Sequence, residues 1–379
     1  MNYCDKIHYS LLTASPEDFP SMIDSLLSRL PEEERILRLV LFGTPVLKDE
    51  YVTQRQLFKA KARHFFGDSE PALSYVLQPV PDAPLVMEVH SYCPESDERI
   101  LYRHYDNIPY VLLENESGRF LFAGGFQGDD PCADMEQWSV EAFRQLKGVL
   151  EKESFPVNSI IRQWNYIEQI TGYDGAGQHY QSFNNVRTAF YAGSDWSNGY
   201  PAATGIGMNM GGVLIDVDAA MFHTPDVFAT PIDNKLQVAA HAYSEQVLEE
   251  ARQKKTTPKF ERAKSMTFRE RCLVYISGTA AIRGEESLKG VGLERQLQIT
   301  MENIAQLIGD TRLVMLRVYL KNESDYEEAR RGLESYGLNI PVSYLRAGVC
   351  REELLIEIEG IAIDLSLIHI SEPTRLALI

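Results

Sequence analysis

The side chains of this sequence best suited to proton transfer lie in Tyr344–Gly360, YLRAGVCREELLIEIEG, where Glu357 and Glu359 interrupt what otherwise reads as a buried strand. Period-two alternation puts Leu354, Ile356 and Ile358 on one face and Leu355, Glu357 and Glu359 on the other. The first face belongs to a core. A carboxyl on the second must meet solvent, an interface or a pocket that holds charge, and a plain solvated sheet face would show the same alternation. Inside a pocket, burial raises the pKa of a carboxylic acid and lets it serve as a general acid near neutral pH, while nearby arginines push the other way. Cys350 and Arg351 stand just before the strand, and a cysteine there is either a reactive thiol or a small buried hydrophobe.

Arginine is the side chain that pairs with carboxylates through two parallel hydrogen bonds, so arginines are the natural partners of such an acid in binding a doubly acidic substrate. Arg187 stands in YQSFNNVRTAF, a segment nearly free of acids, and Arg162 precedes WNYI. Arg330 sits among Glu327, Glu328 and Arg331. A salt-bridged helix surface would account equally well for any one of the three.

The elements that must position these residues form an internal repeat. The last third reads as a strand (Cys272–Ile282), a helix (Leu297–Ile308), a strand (Leu313–Leu320), a helix (Asp325–Tyr336) and the acid-bearing closing strand. The middle repeats that order with FLFAGGFQG, WSVEAFRQLKGVL, SIIRQWNYI, YQSFNNVRTAFY and PAATGIGMNMGGVLIDVDA, in which Asp216 answers Glu357. A worn third copy is legible in ILRLVLFG, YVTQRQLFKAKARHFF and PLVMEVHSY, with Glu88 among apolar neighbours. The division expected is 1–116, 117–231 and 262–364, with a connecting helix and linker over 232–261. Residues 365–379 break the preceding rhythm and read as a translated sequencing adapter, so they are set apart from fold reasoning.

Composition narrows the function class. There are 54 acidic and 37 basic side chains in 379 residues, a net charge of −17, with no basic run beyond Arg252–Lys255; this argues against a nucleic-acid surface. Five cysteines without CxxC spacing point to reduced thiols and no zinc site. No signal-like N-terminus and no apolar window of about 18 residues appear, so a cytoplasmic protein without membrane contact is expected.

The closing strand resembles that of the YjgF/RidA superfamily, which implies that Glu357 is the functional acid. RidA imine deaminases place a substrate-gripping arginine fifteen residues earlier, where this chain has Val342, and that departure counts against imine deamination. RQWNYI, YQSFNNVRTAF, PAATGIG, ERAKSM, ISGTAAIRGEES and VCREELLIEIEG together resemble the chorismatases over roughly Phe120–Gly360. The family's usual GHES is replaced by Gly284-Glu285-Glu286-Ser287.

This resemblance implies an α+β fold of fused YjgF/RidA-like (chorismate mutase-like) repeats, mixed sheets with helices on one face, in a pseudo-trimeric arrangement. It implies a cofactor-independent hydrolase of secondary metabolism, a monomer or homo-oligomer, that cleaves the enolpyruvyl ether of chorismate to pyruvate and a dihydroxycyclohexadienoate or hydroxybenzoate. Glu357 is then the catalytic acid, no metal ligand is expected, and the substrate-binding set is Arg187, Arg330, Arg162, Tyr180, Ala263, Cys350, Gly278 and Thr279. In that family the positions of Ala263 and Cys350 vary with the ring product. The remaining readings are a RidA-like enamine or imine deaminase and a non-catalytic small-metabolite binder.

Overall fold

The computed structural model describes residues 2–175, 177–242 and 256–364. The tail after Asp364 and most of the helix expected over 232–261 lie outside them. Three mixed sheets are each built from the same succession of strand, helix, strand, helix, short strand and acid-bearing strand. In the first sheet these are Ile7–Thr13, Phe19–Leu27, Arg35–Gly43, Lys48–Phe66, Ala72–Val76 and Leu85–Tyr92. In the middle sheet they are Gly118–Gly128, Met135–Lys152, Ile160–Glu168, His179–Tyr191, Ala202–Met208 and Val213–Phe222. In the last they are Arg271–Ala280, Gly292–Ile308, Arg312–Leu320, Tyr326–Glu334, Val342–Arg346 and Ile356–Ile363. In each, the short strand runs parallel to the second strand, and the acid-bearing strand is antiparallel between the first and second.

The short parallel strand is the element that sequence periodicity did not separate from the acid-bearing one. In the middle unit, Gly211 (φ 115°) and Gly212 (φ 70°) reverse the chain between them, a backbone geometry that strongly favours glycine. The closing strand starts at Ile356, two residues later than expected. Sheet membership also moves the expected unit boundaries. The hairpin Arg99–Tyr105/Ile108–Asn115 extends the middle sheet, so the first sheet ends at Tyr92 and not at 116, and Val227–Ile232 opens the last sheet.

Each sheet has one face covered by its own helices. Met135–Lys152, started by an Asp134/Gln137 capping box, lays Ala142, Phe143, Leu146 and Val149 on the middle sheet, and the last sheet receives Leu293, Leu297, Met301 and Ile304 in the same way. The other three faces share one core, with Val40 and Phe42 from the first sheet, Phe120, Trp164 and Tyr166 from the middle, and Tyr275, Tyr319 and Ile361 from the last.

The polar groups within that common core form a cycle. Arg38 of the first sheet binds Asp218 of the middle (2.7 Å), Arg162 of the middle binds Glu359 of the last (2.5 Å), and Arg317 of the last binds Glu88 of the first (2.6 Å). All three arginines are at most 1% exposed, and all three guanidinium groups lie over the indole of Trp164, at 4.9, 4.7 and 5.5 Å from its ring. A buried ion pair of this kind is weak evidence for net stability, but removing one partner leaves a desolvated charge and costs about 3–5 kcal/mol.

Candidate active site

Alternation along Ile356–Ile363 sends Ile356, Ile358 and Ala362 to the helix-covered core and Glu357 and Glu359 to the shared face. The two acids have opposite surroundings. Glu359 accepts from Arg162, Thr204, Trp164 Nε1 (3.0 Å), Arg317 (3.0 Å) and Tyr319 (2.9 Å). Glu357, 5% exposed, accepts no hydrogen bond from any described residue. Its carboxyl is pushed up to about 8, by burial first and then by Glu359, with Arg262, Arg162 and Arg351 opposing. At neutral pH it is a neutral acid within reach of three arginines' fields.

A bulge in the neighbouring strand makes room for it. Pairing of Arg271–Ala280 with the closing strand shifts register between Ile276 and Thr279, and a Cβ on Gly278 would lie 2.0 Å from Glu357 Oε1. Ser277 and Gly278 then face the middle unit: Ala203 N–H donates to Ser277 Oγ (2.9 Å) and Gly278 N–H to Thr204 Oγ1 (3.0 Å). The equivalent acid, Asp216, has the same relation to Gly124 (2.3 Å from a built Cβ), but its Oδ1 is taken by Gly125 N–H (2.8 Å) and Ser74 Oγ (2.6 Å). Its counterpart in the first sheet, Glu88, is held by Arg317 and by His90 (2.6 Å). Of the three positions, the one at Glu357 leaves its carboxyl without a partner among the described residues.

The walls come from two units. Cys350 packs against the middle unit's core, and burial followed by Glu357 pushes its thiol up to about 12, so it stands as a neutral thiol. Tyr180, packed over Gly205, is pushed up to about 12 by burial and feels Cys350, Arg187 and Glu357 in turn. Arg187 is buried, donates to Asn184 Oδ1 (2.5 Å) and rests on Phe183 and Phe260 at 5.5 and 6.0 Å, while its Nε has no hydrogen-bond partner among the described residues. Arg262 also lies over the Phe260 ring (5.7 Å) and donates to Val238 O (3.1 Å). Arg351 is anchored through Glu285 O (3.0 Å) and Ser287 Oγ (2.9 Å), within the segment that departs from GHES.

Glu357, Gly278, Cys350, Tyr180 and Arg187 are therefore brought to one region, and four other expected site residues take different places. Arg330 is on the outer surface of Tyr326–Glu334, bound to Glu334 (2.6 Å) and Glu327 (3.1 Å), because that helix turns its charged side outward. Arg162 is engaged through Nη2 by Glu359 and Thr204 (2.7 Å) in the core cycle, and its buried Nη1 has no hydrogen-bond partner among the described residues. Ala263 pairs with Ile276 and joins the helix-covered core, so its neighbour Arg262 is the one whose charge reaches Glu357. Thr279 is buried and closes the bulge by donating to Ser277 O (2.8 Å). Sequence reasoning passed over Arg262, Thr204 and Phe260. Arg262 was within reach of the alternation in ERAKSM, whereas Thr204 and Phe260 depend on how the units meet.

Comparison with known proteins supplies context for this geometry. Residues 106–219 match the family model described as chorismatase FkbO/Hyg5-like, N-terminal. The chain is 30% identical over 230 residues to a 3-hydroxybenzoate synthase of Streptomyces hygroscopicus, covering 55% of this chain and 65% of that protein. It is 28% identical over 223 residues to a chorismatase of Streptomyces rapamycinicus, covering 54% and 64%. Both matches span less than two thirds of the relative's length. In three dimensions it matches a crystal structure of a chorismatase with a TM-score of 0.67 at 21% identity, over 94% of this chain and 98% of that one.

Proposed function

We propose, for a chain that carries a chorismatase domain at residues 106–219 and the chorismatase fold over its described length, that it cleaves the enolpyruvyl ether of chorismate with Glu357 as general acid. The observation that carries this reading is the contrast between two acids on one strand: Glu359 held by five donors, Glu357 neutral and without a hydrogen-bond partner among the described residues, in a cleft fringed by arginines. A neutral carboxyl donates its proton to the methylene carbon of the enol ether and becomes a carboxylate. The adjacent carbon, then oxocarbenium-like, takes up water, and the hemiketal collapses to pyruvate with the ring oxygen as leaving group. Release of a dihydroxycyclohexadienoate consumes one water overall; release of a hydroxybenzoate consumes none, because the ring loses its own hydroxyl as water.

Arg187 and Arg262, both lying over Phe260, are assigned to the substrate carboxylates, with Arg351 as a further positive charge at the acid. Their charge also stabilises the carboxylate that Glu357 becomes, and arrival of an anionic substrate offsets their pull before the transfer. General acid catalysis is typically worth about 10²–10⁴-fold, so fixing of the substrate by these fixed charges supplies the rest. Cys350, as a neutral thiol, is assigned to the pocket wall. We further propose that the three sheets act as a pseudo-trimer in one cytoplasmic chain and that its cleft is complete without a second copy. No helix among the described residues is long and apolar enough to cross a membrane.

The test is incubation of purified protein with chorismate in the presence of a chelator, with pyruvate and the ring product identified by mass. Equimolar pyruvate and either ring product support the reading. Unchanged chorismate together with turnover of an enamine such as 2-aminoacrylate would replace it with the deaminase reading.

A further inference from the structure

The cysteine spacing gives no sign of a metal site, yet strand pairing gathers a histidine, a glutamate and a cysteine from distant positions. In the first sheet Leu85–Tyr92 runs between Ile7–Thr13 and Arg35–Gly43. His8 pairs with Ser91, Ile36 pairs with the same Ser91, and Cys93 N–H donates to Lys6 O (2.9 Å). His8, Ser91 and Cys93 therefore follow one another on the same sheet face, the face whose inward continuation carries Leu12 and Val89 into the helix-covered core. Glu34 enters from the residue just before Arg35–Gly43. At this end of the sheet His8 Nδ1, a Glu34 carboxylate oxygen and Cys93 Sγ all lie within 4.8 Å of one another. The individual separations are 2.8 Å for His8 Nδ1 to Glu34 Oε1 and 3.9 Å for Cys93 Sγ to His8 Nδ1.

We propose that His8, Glu34 and Cys93 bind a divalent cation of the zinc class. One imidazole, one carboxylate and one thiol make the mixed nitrogen, oxygen and sulfur donor set that zinc accepts, with a water left as fourth ligand. A tetrahedral zinc with its usual bond lengths holds such donors roughly 3.3–3.6 Å apart, between the two separations found here, so a few tenths of an ångström of side-chain movement closes the site. Ser91 Oγ donates to the other oxygen of Glu34 and orients the carboxylate, the outer hydrogen bond that metal-ligating carboxylates characteristically have. His8 is 45% exposed at its side chain, which gives the ion an entry path. Cys93 is half-buried beside Glu34. The ion would tie together three strands of the first unit and take no part in the chemistry at Glu357, so this inference is independent of the chorismate reading.

The experiment is titration of the reduced, chelator-stripped full chain with cobalt(II), followed by displacement with zinc(II). The site predicts one equivalent of cobalt with thiolate-to-cobalt absorption in the near ultraviolet, and a higher Tm with zinc. Cys93→Ser abolishes the absorption and the Tm shift, His8→Ala and Glu34→Gln weaken binding at least tenfold, and Cys132→Ser changes neither. All three ligands are at or near the surface, so the metal-free Tm of each variant, expected within a few degrees of wild type, shows that folding is intact. No cobalt absorption in wild type, or an unchanged signal in both Cys93→Ser and His8→Ala, overturns the proposal.

Discussion

Glu357→Gln is the most informative replacement, because it keeps the shape of the side chain and removes only its titration. In the unfolded chain this carboxyl releases its proton near the ordinary 4.5, whereas in the folded protein it holds it up to about 8. Below pH 4.5 both states are protonated, and the preference of the cleft for the neutral form is fully present. Between pH 4.5 and 8 the folded state keeps a proton that the unfolded state has lost, so unfolding releases a proton and stability falls with rising pH by up to 1.36 kcal/mol per unit. Over the window of 8 − 4.5 = 3.5 units this amounts to about 5 kcal/mol, or about 3 kcal/mol if the displacement is one unit smaller. Above pH 8 the contribution is gone. The glutamine variant has no such slope, so its stability relative to wild type rises by about 3–5 kcal/mol between pH 4 and pH 9. Urea denaturation of both proteins across that range measures the difference directly. Turnover of wild type falls through pH 8 as the acid ionises, and the variant is inactive throughout. A flat difference curve would mean that Glu357 titrates as an ordinary surface acid, and the assignment of the proton donor would fail.

Other perturbations separate the roles of the surrounding charges. Glu359→Gln leaves Arg162 and Arg317 facing a neutral amide in the core and is expected to cost about 3–5 kcal/mol in denaturation experiments, so that any loss of activity follows loss of folded protein. Arg187→Ala is expected to raise KM at least tenfold with kcat changed much less, since a carboxylate clamp acts on ground and transition states alike; equal losses in kcat and kcat/KM would place Arg187 elsewhere in the mechanism. Asp216→Asn should leave kcat within about twofold of wild type, because its Oδ1 is already held by Ser74 and Gly125; a variant as inactive as Glu357→Gln would mean that the cleft lies between the other pair of units.

The parts of this account legible in the sequence are those fixed by local periodicity. Alternation in LLIEIEG placed Glu357 opposite the core, and the repeated order of elements anticipated three related sheets, including the worn first copy. Local pattern failed where two faces of a strand both carry plausible residues: Ala263 and Arg262 are adjacent, and only the pairing of Ala263 with Ile276 decides which one reaches the cleft. It failed again where partners are far apart in the chain. Arg162 reads as a free cation until it meets Glu359, 197 positions later, and Glu359 reads as a second acid on the face of Glu357 until five donors from three strands, Thr204 among them, converge on it. Arg330 failed for a simpler reason, since its position in the repeat matched Arg187 while the helix around it supplied two acids at i−3 and i+4.

The central claim, proton delivery from Glu357 to the methylene carbon of the enol ether, is tested most directly by running the chorismate reaction in heavy water and trapping the pyruvate at once as lactate with lactate dehydrogenase. The carboxyl of Glu357 exchanges with solvent, so each trapped molecule should carry one deuterium in its methyl group. A methyl group without solvent deuterium would mean that its third hydrogen came from the substrate ring within a concerted cleavage, and Glu357 would not be the donor.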